Sequence, residues 1–232
     1  MTNKVLDSYK LKWIAIITMV IDHTGAILFN DPKYAYLRLI GRLAFPIFCF
    51  LLVEGFYHTS NVYKYLGRLA IFAFISEVPF DMMYAAFGNQ VVWSHQNVFF
   101  TLLIGLSTVF WIDKIRLKYQ EKQVFALIIQ LLVLYIGGFL AEICCSDYGA
   151  LGIFMIIVFY FNRGNLWTIT ILNGLLIAVL NGPASIEMYA LLAIPLLAMY
   201  NGEKGKSMKY FFYAFYPVHI VILCLIKYYI VS

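Results

Sequence analysis

His23 is an imidazole set inside an apolar run, with an acid, Asp22, beside it and a base, Lys12, eleven positions earlier. Histidine changes charge near neutral pH, so an imidazole deep in a span with an acid beside it suits proton transfer. A second imidazole, His219, stands in YPVH near the far end of the chain, where Pro217 frees a backbone carbonyl that a histidine can satisfy. Arg42 and Glu77 also fall within apolar runs, Arg42 with Arg38 one turn before it and Glu77 with Asp81 one turn after it. Ionisable groups held together inside spans suit proton transfer. Each group also has a plain structural alternative. Arg38 and Asp81 can snorkel to an interface, Arg42 and Glu77 can form a packing ion pair, and His58 and His95 fall in connecting segments. No metal centre is expected, because no histidine pair has the i, i+4 spacing of a helical metal site.

The elements that must hold these groups are apolar throughout. Of the 232 residues, 63% are hydrophobic and 12% charged, about half the charge of a soluble domain. Nine apolar stretches can be marked: 11–29, 36–57, 65–84, 97–112, 124–143, 149–161, 166–180, 186–200 and 210–230. Most approach the ~20 residues that a spanning helix needs; the sixth to eighth are short, with room to be tilted, broken or re-entrant. The expected fold is an all-α polytopic integral membrane helix bundle of about nine transmembrane helices, one domain over residues 1–232. The first run is too long for a cleaved signal peptide and has no small-residue cleavage site. The four cysteines have neither disulfide-framework nor metal-ligand spacing and read as small core residues.

Charge sets the orientation. With a cytoplasmic N-terminus and nine crossings, thirteen of the 17 Lys and Arg residues fall inside, among them Lys10, Lys12, Lys64, Arg68 and the basic loop DKIRLKYQEK. Ser232 then lies outside, and a bacterial inner membrane is the expected location. The net charge of +5 is accounted for by these loops, and no nucleic-acid partner is expected. Depth follows from helical rise. His23 lies about 16 Å beyond Lys12 and His219 about 15 Å beyond Lys209, so the two histidines are expected at one level. Arg42 and Glu77 reach the same layer from the second and third spans. Lipid solvates none of them, so one outward-opening polar cavity lined by His23, Arg42, Glu77 and His219 is expected, continuous with a channel toward Lys12 and Arg68.

A basic residue, ten residues and a histidine, here Lys12, WIAIITMVID and His23, resemble the signature of the acyltransferase-3 family of membrane acyltransferases. The succession LKWIAIITMVIDHTGAIL, RLIGRLAFPIFCFLLVEGF, YLGRLAIFAFISEVPFD, HQNVFFTLLIGL, DYGALGI and YAFYPVHIVIL is more closely similar to the TraX family, over nearly the whole chain. The resemblance implies an acetyl-CoA-dependent membrane acetyltransferase, with His23 as the first-helix histidine and Lys12 as its basic partner. The TraX family is known for acetylating the N-terminus of a conjugative pilin subunit, and related enzymes modify sugars and surface polymers.

The expected function is therefore transfer of an acetyl group from cytoplasmic acetyl-CoA to a hydroxyl or amine at the outer side, on a surface polymer, a glycan or a pilin-like peptide. His23 would be the general base, Arg42 or His219 would stabilise the oxyanion, and Asp22 or Glu77 would hold the imidazole in its productive tautomer. Lys10, Lys12, Lys64 and Arg68 cluster where CoA phosphates can bind as point-charge contacts, although positive-inside bias alone accounts for that cluster. Two other classes remain open. A proton-coupled transporter also buries His, Asp, Glu and Arg, but it normally shows paired halves, and no internal repeat is evident. A membrane scaffold gives no reason to keep charge in four helices.

Overall fold

The computed structural model describes residues 4–29, 31–86 and 95–231; the expectation that Ser232 lies outside falls beyond the described residues. Each of the nine apolar stretches takes up helical structure, and no strand forms among the described residues. The chain is an integral membrane protein built as a helix bundle. α1 (Ser8–Leu28) begins at Asp7, whose carboxylate accepts the Lys10 amide at 2.8 Å, the ordinary way of satisfying a first-turn donor. The second stretch is divided into α2 (Ala35–Gly41) and α3 (Ala44–His58). Pro46 has no amide hydrogen to give the carbonyl of residue 42, so the helical ladder breaks at Arg42 and Leu43.

α4 (Val62–Ala86) keeps Pro79 within a 25-residue helix. α5 (Val98–Lys118) is capped by Asn97, and α6 (Gln123–Ile143) and α7 (Gly149–Phe161) follow. α8 (Leu166–Leu180) leads into a 3-10 segment, Ile186–Ala193, and the five-residue α9 (Ile194–Ala198). The eighth stretch is thus a tightened, broken helix rather than a regular one. α10 (Lys209–Ile226) carries Pro217 and ends in a π turn. Five segments are long and apolar enough to cross a membrane by length and composition: 8–28, 32–58, 98–118, 123–143 and 209–230. The 13 residues of α7 reach only about 20 Å, less than a typical hydrocarbon core.

α1 packs against α2, α3 and α10, and α5 against α4, α6 and α7. Leu11, Ile47, Leu106, Ile153 and Ile156 are fully buried between them. The outer surface is apolar too: Leu127, Leu131 and Tyr135 of α6 and Ile171, Leu175 and Val179 of α8 are exposed at helical spacing, as lipid-facing stripes are. The reading of all four cysteines as core residues is corrected. Cys49 and Cys224 are buried, but Cys144 and Cys145, in the turn after α6, are exposed.

Candidate active site

The site is assembled where α1 crosses the broken second span. A Cβ on Gly41 would overlap the Asp22 side chain, so glycine there lets the carboxylate lie directly against α2. Asp22 accepts Arg38 Nη1 at 2.7 Å and Arg42 Nη2 at 3.1 Å. Arg42 reaches on to Glu187 at 3.1 Å, and its Nε donates to the Arg38 carbonyl at 3.4 Å. The side chains of Asp22 and Arg42 are each only 11% exposed, so each charge depends on its partner. Two cations and two carboxylates close a balanced network. Arg38 is therefore a member of the site, not a snorkelling residue. The packing pair expected between Arg42 and Glu77 is corrected: the partners of Arg42 are Asp22 and Glu187.

His23 turns away from Asp22, as neighbouring helical positions do. Its Nδ1 lies 2.7 Å from Nε2 of His219, and His219 Nδ1 donates to the Phe215 carbonyl at 2.9 Å, one turn back on α10. The expectation that Asp22 or Glu77 holds the imidazole is corrected; His219 stands at that nitrogen. Pro217 lies between Phe215 and His219, and the carbonyl bound by His219 is two residues before it. Tyr216 packs edge-on against both imidazoles, with ring centroids 6.1 Å from His23 and 5.8 Å from His219.

Two polar cavities flank this contact. The first, about 570 Å³, is lined by His23, Asp22, Arg38, Arg42, Asp147 and Glu187; it is the histidine cavity. Asp147, in the connection between α6 and α7, is exposed to that cavity, while the protein around it pushes its carboxyl up to about 6, a rise that Arg42 opposes. The second, about 480 Å³, is lined by Lys12, Lys64, Arg68, Lys204 and Lys209; it is the basic cavity. Arg68 Nε is buried there without a hydrogen-bond partner among the described residues. Lys10 does not line it; its ammonium donates to the Val5 carbonyl at 2.9 Å. Tyr216 lines the basic cavity and touches His23, so the two cavities approach each other at its ring.

The single continuous cavity expected from sequence is thus corrected. Glu77 and His219 do not line the histidine cavity, and the basic groups belong to a separate one. Glu77 acts locally instead. With the Ala73 carbonyl it accepts the amide of Asn97, and Asn97 in turn caps α5 by accepting from Phe99 N at 3.0 Å. Asp81 is buried, and neither of its carboxylate oxygens has a hydrogen-bond partner among the described residues. No group of three or more metal-ligating side chains occurs among the described residues. Sequence reasoning passed over Glu187, Asp147 and Tyr216. Glu187 had a signal, as the one acid in its apolar stretch, and Tyr216 had one as the first residue of YPVH, where only the proline and the histidine drew notice.

The chain matches the family described as TraX protein over residues 8–227. It is 33% identical over 250 residues to the probable fimbrial assembly protein FimC, serogroup H1, of Dichelobacter nodosus, with 97% of each chain covered. It is also 28% identical over 109 residues to the uncharacterized protein RP591 of Rickettsia prowazekii (strain Madrid E), covering 47% of this chain and 39% of that one. No solved structure matches it.

Proposed function

The chain belongs to the TraX family, and on that premise we propose that it is an inner-membrane acetyltransferase moving an acetyl group from cytoplasmic acetyl-CoA to an amine or hydroxyl presented from the other side. The observation that carries this reading is the pair of cavities meeting at Tyr216, one basic and one holding His23. Lys12, Lys64, Arg68, Lys204 and Lys209 form a donor set suited to the phosphates of CoA, and Arg68 Nε, unpartnered among the described residues, gives that cavity a buried donor. Lys10 is left out of the set.

In this reading the acceptor enters the histidine cavity. His23 takes the proton as the acceptor's nitrogen or oxygen bonds to the thioester carbonyl carbon. Collapse of the tetrahedral adduct breaks the C–S bond, and the proton held on His23 passes to the departing sulfur. Arg42 is committed to two carboxylates. Arg38 gives only Nη1 to Asp22, and its other guanidinium nitrogens have no protein partner among the described residues, so Arg38 is the donor suited to the developing oxyanion. The fimbrial relative's name favours a pilin-type subunit as acceptor, its N-terminal amine being the nucleophile.

The test is incubation of the purified chain in nanodiscs with labelled acetyl-CoA and a pilin-type peptide. Label appearing on the peptide amine supports the proposal in full. Slow donor hydrolysis with transfer to a glycan instead keeps the enzyme and changes the acceptor. Absence of both binding and turnover of acetyl-CoA refutes it and favours the proton-coupled transporter.

A further inference from the structure

We propose that His219 is the positioning residue of a histidine–histidine dyad, fixing His23 as the Nδ1–H tautomer so that Nε2 carries the basic lone pair. This rests on the acetyl-transfer reading for its purpose, but not for its geometry. A carbonyl oxygen only accepts, so the 2.9 Å contact to Phe215 puts the hydrogen of neutral His219 on Nδ1. Its Nε2 then has only a lone pair to offer. The 2.7 Å neighbour, His23 Nδ1, must supply the hydrogen between them, which leaves His23 Nε2 as acceptor. No protein group bonds that Nε2 among the described residues, and His23 lines the histidine cavity.

The ring geometry favours a strong bond. The planes are within 5° of parallel and the centroids are 5.0 Å apart. That separation is the 2.7 Å contact lengthened by one ring radius at each end. The two imidazoles therefore lie edge to edge in one plane, not face to face, and the N–H points along the lone-pair direction. A backbone carbonyl thus sets the tautomer of one histidine, and that histidine sets the tautomer of the other. The arrangement fills the place that a carboxylate occupies behind a catalytic imidazole elsewhere. When His23 Nε2 takes the acceptor's proton, the new imidazolium keeps donating to His219 Nε2. His219 is then excluded as the oxyanion donor, because both of its nitrogens are already engaged.

The test needs no turnover for its first part. The full chain, labelled with 15N-histidine and held in nanodiscs near neutral pH, is examined by NMR, with His23 assigned by difference from His23→Gln. The expected result is a protonated Nδ1 and an unprotonated Nε2 for His23. In His219→Leu, His23 should revert to the Nε2–H tautomer that free neutral histidine prefers. A wild-type His23 already in the Nε2–H form, or one unchanged by His219→Leu, overturns the proposal. Kinetics add the second part. His219→Leu should lower kcat about 10²-fold with the KM for acetyl-CoA little changed. His219→Gln, whose amide oxygen can accept the same hydrogen, should recover most of it. Equal losses in both variants also overturn it. If the wild-type chain transfers no acetyl group, the function reading fails while the NMR result still decides the dyad.

Discussion

Lys12 and His23 stand eleven residues apart on α1 and open into different cavities, Lys12 into the basic one and His23 into the other. About 16 Å of helix separates them. One straight element therefore sets the distance between a charge that can hold a donor's phosphates and an imidazole that can meet an acceptor. Neither residue depends on a loop for its place.

Replacing His23 by Ala should lower acetyl transfer at least about 10²-fold while leaving the melting temperature in detergent close to wild type, since the side chain is only half-buried. Turnover assays on the reconstituted variant check this. Near-normal activity would mean that another group is the base.

Lys12→Ala, Lys64→Ala and Arg68→Ala should each raise the KM for acetyl-CoA with a smaller effect on kcat, the pattern of lost donor binding. Lys10→Ala should change neither, because its ammonium lies against the Val5 carbonyl outside the basic cavity. Donor titrations on the four variants separate a built site from general positive charge, which would make all four equivalent.

Arg42→Ala should destabilise the fold by about 3–5 kcal/mol, because it leaves Glu187 without its cation and Asp22 with Arg38 alone in a poorly solvated network. Adding Glu187→Gln to that variant should recover part of the loss by removing one uncompensated charge. Denaturation in micelles gives both values. A loss under about 1 kcal/mol for Arg42→Ala would show that cavity water already solvates the carboxylates.

Glu77→Gln should retain turnover, since an amide oxygen can still accept from Asn97. Glu77→Ala should instead lower the melting temperature, at a cost of about 1–3 kcal/mol for the unsatisfied amide. A large fall in kcat for Glu77→Gln would return Glu77 to the reaction.

Orientation can be read with native cysteines. Cys144 and Cys145 are exposed, Cys145 lining the histidine cavity, while Cys49 and Cys224 are buried. With the N-terminus cytoplasmic, a membrane-impermeant maleimide should label intact cells or right-side-out vesicles at the 144–145 pair. Labelling only from the cytoplasmic side would invert the bundle.

The helices were legible because hydrophobic runs of this length have one physical outcome in lipid, and the equal depths of His23 and His219 followed from counting rise along helices running the same way. What could not be counted was azimuth. Depth places Glu77 beside His23, but rotation about α4 gives its carboxylate to Asn97. Adjacency in sequence likewise places Asp22 beside His23, yet one step turns it toward Arg38 and Arg42. Glu187 was missed for a related reason: the network that needs it is closed by a contact across 145 residues, which no local pattern encodes. The break at Arg42 was legible in principle from Pro46.

Tyr216 has a consequence for the cell as well as for the reaction. It lines the basic cavity, packs edge-on against Phe99 with centroids 5.3 Å apart, and touches His23 on the other side. Were that ring absent, the basic and histidine cavities would lose the side chain that stands between them, and, opening to opposite faces as proposed, they would join into a pore. Each 100 mV across the membrane drives a monovalent ion with about 2.3 kcal/mol, so even a brief opening would dissipate an energised gradient. A tyrosine at that point offers a hydrated ion one hydroxyl and a ring face in place of its water shell, and anything that displaces it must itself be bulky enough to fill the gap. Permeability and turnover are thereby tied to one side chain: a smaller residue at 216 would trade insulation for access, and growth defects from ion conduction should appear in such variants even where acetyl transfer survives.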